Sequence, residues 1–168
     1  SPPDFGTLYS GRALEFDGVT DYVSVPQTNF GANTGTASFW CYGTNLAGNG
    51  DRYIIGQQDT ENRLYARFDD TSDKWELGLA ESQNIDTSVS FEEDKWLNAV
   101  IVYNSGSYTF YIDGVEKDSG SYTEGSGIVD SSGWAIGSQP NGTQSWDGKI
   151  TNVQIWDKAW SLSDVQYA

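Results

Sequence analysis

Apolar and polar residues alternate in short runs along most of this 168-residue chain, with the period of two that half-buried strands require. Leu64, Ala66 and Phe68, for example, share one face of such a run. Glycine, asparagine and aspartate separate the runs, as they do in turns. The pattern predicts about a dozen strands: 13–16, 22–25, 36–42, 53–57, 63–68, 75–79, 84–91, 96–103, 107–113, 115–117, 134–137 and 148–156. We therefore expect an all-β fold, a two-sheet antiparallel β-sandwich in which jelly-roll connectivity is favoured.

Local signals add detail to three of these segments. Asp113-Gly114 between two extended runs predicts a tight hairpin. The apolar residues of run 148–156 do not alternate strictly, which predicts a bulge near residues 151–152. Ser161 followed by Asp164 is an acidic variant of the capping box, so the sequence predicts at most one short helix, at the C-terminal end.

The chain shows no linker-like shift in composition and no repeat, so residues 1–168 are predicted to form a single domain. A chain of this length buries roughly 70% of its unfolded surface and needs no disulfide to form a core. It begins Ser-Pro-Pro, with neither methionine nor a signal peptide. We interpret it as a module of a larger extracellular, cell-surface or virion-surface protein.

The formal net charge of −15 argues against nucleic acid and anionic membranes as partners, because like charges repel. The sequence contains no apolar run of 18 residues, so membrane insertion is not expected. Carboxylates in loops attract cations such as Ca²⁺, although most of the acid can equally be a solvated surface. Cys41, the single cysteine, lies in an apolar run and is predicted to be buried.

The sequence offers no catalytic residues. It contains no histidine, the commonest general base, and its one dense acidic run, residues 92–94, is consecutive rather than spaced along one strand face. We interpret that run as a solvated corner. Arg63, Tyr65 and Arg67 could mimic part of a lyase site, but no base accompanies them. The chain is therefore predicted not to be an enzyme.

One candidate surface for a glycan is the polar face of run 63–68. Sugars present flat apolar faces flanked by hydroxyl groups, and aromatic plates beside arginine side chains suit them. Arg63, Tyr65 and Arg67 have that composition and should point away from the core. The alternative is an ordinary solvent face held by cross-strand pairs such as Arg67 with Glu76.

The second candidate surface for a glycan is the polar, amide-rich loop 139–146. Gln139, Asn141 and Trp146 are its candidate contacts. The alternative for Trp146 is that its ring fills the core under the loop.

Five motifs in order resemble the laminin-G type of the concanavalin A-like lectin and glucanase superfamily. They are ALEFDGVTDYV at 13–23, TASFW at 36–40, KWLNAV at 95–100, FYIDGV at 110–115, and WDGKI at 146–150 with its following strand and the Ser161 cap. The resemblance spans residues 11–165. It implies a jelly roll, often with one structural Ca²⁺, and often a binding role toward glycans, proteins or other domains of the same polypeptide. The chain departs from the family pattern in two places: Leu97 and Asn98 lie where a histidine is common, and Asn152 lies where an acid is common.

The loop between the first two predicted strands is the candidate calcium site. Asp17 and Asp21 offer two carboxylates, and Gly18 lets a backbone carbonyl turn toward the same point. In the resembling family the first and last strands pair, which would bring Asp147 to this loop. The alternative is that these aspartates form turns through hydrogen bonds to their own backbone.

The sequence therefore favours a non-catalytic carbohydrate-binding module, stabilised by structural calcium, whose partner is a glycan or polysaccharide. The alternative is a structural or protein-interaction spacer of an adhesin or phage virion protein. The two differ in one feature: a lectin should expose an aromatic ring at the rim of a groove, among amide and acid side chains, whereas a spacer should bury every tryptophan.

Overall fold

A computed structural model describes residues 12–26, 31–57, 63–128 and 133–168. Within these ranges the chain forms twelve strands and one helix. The strands are β1 (Leu14–Asp17), β2 (Val23–Val25), β3 (Thr34–Gly43), β4 (Arg52–Gln57), β5 (Arg63–Asp69), β6 (Lys74–Ala80), β7 (Ser82–Ser90), β8 (Trp96–Asn104), β9 (Ser107–Ile112), β10 (Val115–Ser121), β11 (Trp134–Ile136) and β12 (Asp147–Trp156). The helix is α1 (Leu162–Gln166).

The strands form two antiparallel six-stranded sheets packed as a sandwich. The first sheet has the order β1-β12-β3-β8-β9-β10, and the second has the order β2-β11-β4-β5-β6-β7. Neighbours such as β12 and β3 are far apart in sequence, as jelly-roll connectivity requires. The predicted all-β jelly-roll sandwich with one short C-terminal helix is confirmed.

The turn chemistry produces the local geometry that the sequence predicts. Asp113 and Gly114 both take positive φ, at 51° and 75°, so they join β9 to β10 in the conformation of a two-residue hairpin turn. The β12–β3 register shifts between Thr151 and Gln154, and Asn152 has φ of 50°, which places the predicted bulge there. β10 runs to Ser121, four residues beyond the predicted end.

The core lies between the sheets and is dominated by aromatic rings. Trp75 lies 4.8 Å from Phe91 and 5.3 Å from Phe110, measured between ring centroids, and Phe91 lies 5.5 Å from Trp146. Cys41 is buried in this core, and this burial raises the pKa of its thiol, which disfavours the reactive thiolate.

The helix α1 begins with the predicted capping box. The backbone N–H of Asp164 donates to the Ser161 hydroxyl, and the Asp164 carboxylate accepts from the Ser161 backbone N–H at 2.8 Å. Both bonds satisfy N–H groups that a helix start leaves unpaired. Helix α1, the one helix in the described ranges, is not long and apolar enough to cross a membrane.

Candidate functional site

The β1–β2 loop closes on itself through Asp17. Its Oδ1 accepts hydrogen bonds from the backbone N–H groups of Val19, Thr20 and Asp21 at 2.8, 2.8 and 3.0 Å. The Asp17 N–H in turn donates to Asp21 Oδ2 at 3.2 Å. The three bonds from Thr20, Val19 and Asp21 lower the pKa of Asp17 to about 2, because they stabilise the charged form. This is the geometry of an aspartate that forms a turn.

The four residues predicted to bind calcium do converge, but the guanidinium of Arg52 lies among them. Asp17 lies opposite Asp147 in the β1–β12 register, and Gly18 packs against Asp147. The Gly18 carbonyl accepts from Arg52 Nη1 at 2.5 Å, and the same nitrogen donates to the Ser145 carbonyl at 2.7 Å. A guanidinium group therefore holds the carbonyl assigned to Ca²⁺, and the hydrogen bonds of Asp17 are those of the turn-forming alternative.

The polar face of β5 belongs to a closed network on the outside of the second sheet. Arg67 pairs with Glu76 at 2.7 Å and with Asp51 at 2.8 Å. The Tyr65 hydroxyl donates to Glu76 at 2.9 Å and also lies 3.1 Å from Asn84 Oδ1. Burial opposes the charge of Arg67, but the hydrogen bond to Glu76 and the nearby Tyr53, Glu76 and Asp51 side chains together outweigh it and raise the pKa of Arg67. The cross-strand pair stated as the alternative to a glycan contact is present.

Tyr65 has little surface to offer a sugar. A Cβ at Gly78 would overlap its ring, so Tyr65 lies flat on the glycine and is 2% exposed. Tyr53 lies 5.3 Å away, and the Arg67 guanidinium is 5.5 and 5.7 Å from the two ring centroids. Arg63 lies half-buried at the start of β5, opposite Ala80. The three predicted residues do face away from Leu64 and its neighbours, but Tyr65 is buried and Arg67 is held by ion pairs.

An acidic cluster lies at the edge of this network. Asp69, Glu76 and Asp86 each place a carboxylate oxygen within 4.8 Å of the others. Burial opposes the charge of Asp69, but hydrogen bonds from Ser72 and the Thr71 backbone outweigh it and lower its pKa. Three carboxylates at this spacing could hold a metal ion.

The second predicted surface, loop 139–146, divides between surface and core. Gln139 and Asn141 both accept from the Thr143 hydroxyl, at 3.2 and 2.6 Å, so they order the loop itself. Trp146 is fully buried, and its indole N–H donates to the Tyr42 carbonyl at 3.2 Å. The prediction of Trp146 as a sugar-stacking ring is corrected: it fills the core under the loop.

Gln139 of this loop lies near Tyr53, whose ring contacts Tyr65 on β5. Gly56 lies between Gln139 and Tyr53, because a Cβ added to it would be 2.8 Å from Tyr53 Cδ1 and 3.5 Å from Gln139 Cα. Asn141 is exposed. Tyr22, which is 43% exposed, lies outside this loop but packs near Gly142 and adds an exposed aromatic ring beside it.

The outer face of the first sheet differs from that of the second sheet, because the C-terminal segment crosses it. The Thr36 hydroxyl on β3 donates to the Lys158 carbonyl at 2.7 Å and accepts from the Trp160 backbone N–H at 3.0 Å. Val165 on α1 is 2% exposed, which anchors the helix against the sheet. The crossing segment leaves an open depression on each of its sides.

One of these depressions, here called the tryptophan groove, has a volume of about 420 Å³. Trp156 lies at its edge and is 46% exposed, at 5.9 Å from Trp160. Trp156 Nε1 donates to Gln154 Oε1 at 3.1 Å, and Gln154 Nε2 donates to Asn152 Oδ1 at 3.2 Å. Lys158, Asp164, Tyr167 and Ala168 also line it. The groove thus combines an open aromatic face with amide, basic and acidic side chains.

Sequence reasoning assigned no binding role to these residues, although a signal is present. Asn152, Gln154 and Trp156 alternate with Val153 and Ile155, which pack against the core. Strict alternation puts the amides and the tryptophan on the outer face. The bulge at residue 152 hides the pattern, because the alternation restarts only after it.

Comparison with known proteins places the chain in a family. A family model described as the concanavalin A-like lectin/glucanases superfamily matches residues 17–166. Over 81 residues, 47% of the chain, it is 31% identical to the adhesion G-protein coupled receptor V1 of Danio rerio, of which it covers 1%. The chain therefore spans a very small part of that receptor.

Solved structures share the fold at low sequence identity. Domain 4 of AbnA, an extracellular GH43 arabinanase of Geobacillus stearothermophilus solved with arabinotriose, has a TM-score of 0.76 and 19% identity, over 94% of this chain and 76% of that one. Trypanosoma rangeli sialidase in complex with sialic acid has a TM-score of 0.70 and 18% identity, over 92% of this chain and 27% of the sialidase. The fold is thus shared with parts of two enzymes, an arabinanase and a sialidase. The chain belongs to the concanavalin A-like lectin/glucanase superfamily.

Proposed function

We propose that this domain is a non-catalytic carbohydrate-binding module and that its tryptophan groove holds the sugar. The observation that carries the proposal is Trp156, 46% exposed at the edge of a groove lined by amide, basic and acidic side chains. That is the feature expected of a lectin and not of a spacer. The predicted placement on β5 and loop 139–146 has less to support it, since Tyr65 and Trp146 are buried.

The chemistry of the groove suits a neutral or weakly polar sugar ring. The exposed indole face of Trp156 offers a flat apolar surface against which the C–H face of a pyranose or furanose can stack. Asn152 and Gln154, already oriented by their mutual hydrogen bond, supply amide groups that can both donate and accept. Because these amides are preorganised along β12, little side-chain entropy is lost on binding.

The comparisons support the ligand class and the setting without identifying the sugar. The AbnA domain was solved with arabinotriose and belongs to an extracellular enzyme. We infer that the present module likewise acts outside the cell or on a cell or virion surface, as part of a larger protein whose other domains are further partners. Its non-catalytic character is part of the proposal, supported by the absence of histidine from the sequence.

A glycan array followed by affinity electrophoresis tests the proposal. Trp156→Ala should weaken binding of any retained glycan by about tenfold or more, as expected for a central aromatic contact. Tyr22→Ala is the matched control, because Tyr22 is 43% exposed and lies beside the predicted loop 139–146. Loss of binding in Tyr22→Ala alone would place the sugar at that loop. Failure of a broad panel to bind at all would favour the spacer alternative.

We also propose that Ca²⁺ stabilises the domain, held by Asp69, Glu76 and Asp86. These three carboxylates lie within 4.8 Å of one another, and the Arg67 guanidinium that pairs with Glu76 is shared with Asp51, so the carboxylates outnumber the cation paired with them. A divalent cation with oxygen ligands would offset that charge.

Thermal melting with Ca²⁺ and with EDTA tests the calcium proposal. At a hundredfold excess of Ca²⁺ over its Kd, the free energy of unfolding should rise by about 2.7 kcal/mol. Asp86→Asn, at an exposed position of the cluster, should abolish that rise. Asp147→Asn is the control and should retain it. The same melting temperature in EDTA and in Ca²⁺ for the wild type would refute a structural calcium.

A further inference from the structure

A second depression lies on the other side of α1, and we call it the asparagine cleft. It has a volume of about 530 Å³, and its lining includes Trp40, Asn98, Asp113, Val115, Gln166 and Tyr167. It lies on the outer face of the first sheet, because Trp40 and Asn98 alternate with residues of the core along β3 and β8. The tryptophan groove and this cleft share Tyr167 and Ala168 in their linings.

The floor of the cleft holds a buried polar group that the described protein does not satisfy. Asn98 is 4% exposed, and its Nδ2 finds no hydrogen-bond partner among the described residues. The Asn98 backbone, by contrast, is fully engaged: its N–H donates to Asp113 Oδ1 at 2.9 Å, and its carbonyl accepts from the Asp113 N–H at 2.8 Å. A buried amide left unpaired costs stability, so its presence here calls for a ligand that completes it.

The chemistry of the lining selects the ligand class. Asn98 Nδ2 requires an acceptor, whereas the Asp113 carboxylate accepts and therefore requires a donor. A hydroxyl group serves both roles at once. The described lining contains no lysine or arginine, so nothing in it would offset an anionic ligand. The apolar surfaces of Trp40, Val115 and Tyr167, the last two being 56% and 90% exposed, suit the C–H face of a ring.

We infer that the asparagine cleft is a second binding site, specific for a neutral saccharide, in which Asn98 Nδ2 donates to a sugar hydroxyl that lies within reach of Asp113. The inference rests on the proposed function for its ligand class only, since the cleft and its unpaired amide are separate from Trp156. Two sites on one face, divided by α1, would let the domain hold a polysaccharide at two points and gain avidity.

NMR of the ¹⁵N-labelled wild-type chain tests the inference directly. The probes are neutral trisaccharides of arabinose, xylose, glucose, galactose and mannose, with trigalacturonate as an anionic arm and trialanine as a peptide arm. A neutral trisaccharide should shift the side-chain amide signals of Asn98, and trigalacturonate should not. The indole signal of Trp156 reports the tryptophan groove in the same spectra, so failure of the proposed function and failure of this inference are distinguishable.

Variants separate a binding role for Asn98 from a structural one. Asn98→Ala should weaken binding at the cleft by about tenfold, the equivalent of one buried hydrogen bond. Its thermal stability should not fall, since the deleted amide nitrogen has no partner within the described protein. Asn98→Asp keeps the shape but replaces the donor by an acceptor beside Asp113, and it should abolish binding there. Both variants should retain the saccharide-induced shift at Trp156.

Three results would overturn the inference. The first is that no neutral trisaccharide shifts the Asn98 amide signals while the Trp156 indole responds. The second is that trialanine shifts them and the sugars do not, which would make the cleft a peptide site. The third is that Asn98→Ala binds every saccharide as the wild type does.

Discussion

The two ends of β12 carry similar residues, but these residues are buried and paired at one end and exposed at the other. At its N-terminal end, Trp146 and Asp147 meet the Asp17 loop, and Arg52 bridges the carbonyls of Gly18 and Ser145. The Gly18 and Ser145 carbonyls, the Asp17 carboxylate and the Trp146 indole N–H all have partners inside the domain. At its C-terminal end, Trp156 leaves nearly half of its surface exposed beside the amides of the tryptophan groove.

The difference shows that a tryptophan beside amides and acids is not by itself a sugar site. Trp146 is covered because it points between the sheets, where Phe91 packs against it at 5.5 Å. Trp156 points away from them, and α1 and its preceding segment border its ring without covering it. The N-terminal end of β12 therefore stabilises the fold, and the C-terminal end is available for binding.

Replacing the two tryptophans should give the largest contrast. Trp146→Ala removes a fully buried ring from an aromatic core and should lower the free energy of unfolding by about 3–5 kcal/mol. Trp156→Ala removes a ring that is already half in solvent and should cost under about 1 kcal/mol. Urea denaturation of both variants measures the two values. Similar losses for the two would mean that the ends of β12 do not differ as described.

Removing the cation at the closed end should have a smaller but clear effect. Arg52→Met keeps the aliphatic stem and deletes the guanidinium that holds the Gly18 and Ser145 carbonyls. We expect a loss of about 2 kcal/mol, because hydrogen bonds to charged groups contribute more than neutral ones. The measurement is again urea denaturation.

Lys149→Met is the control for this experiment, since Lys149 is exposed on β12 and its loss removes one positive charge from the same region. It should change stability by less than about 0.5 kcal/mol. An Arg52 variant as stable as this control would show that the guanidinium is not what closes the loop. An increase in stability would do so as well.

The sequence predicted the fold well because the fold depends on local signals. Period-two alternation located the strands, Asp113-Gly114 specified the hairpin, and the outward position of Arg67 opposite Glu76 followed from counting residues. The same alternation correctly separated Leu64 from Tyr65. These features need only neighbours along the chain or directly across one ladder.

The candidate sites were harder to predict because they depend on contacts between distant segments. Alternation with Val153 and Ile155 places Trp156 on the outer face of β12, but nothing near Trp146 in the sequence says that the sheets will cover it. Arg52 lies 34 residues from Gly18, and no local pattern predicts that its guanidinium will reach that carbonyl. The unpaired amide of Asn98 likewise lies in a cleft that is lined by residues of β8 and α1, which are far apart in the chain.

The smallest expected effect concerns the pH dependence of the closed end. Hydrogen bonds from Thr20, Val19 and Asp21 lower the pKa of Asp17 from 3.8 to about 2 in the folded state. A carboxylate with a depressed pKa stabilises the fold above its unfolded pKa, and that contribution is lost as the pH falls through the folded value. Asp17→Asn should therefore be less stable than the wild type at pH 5, and the gap should close as the pH approaches 2.

Chemical denaturation of both proteins at steps between pH 5.5 and 2, in the presence of EDTA, measures this gap. Glu15→Gln controls for the loss of one negative charge on the same strand, and it should not reproduce the pH-dependent closing of the gap. A gap that stays constant down to pH 2 would mean that the loop does not hold the Asp17 charge. A gap seen with Ca²⁺ but absent in EDTA would make Asp17 a cation ligand, and the first end of β12 would then be a metal site.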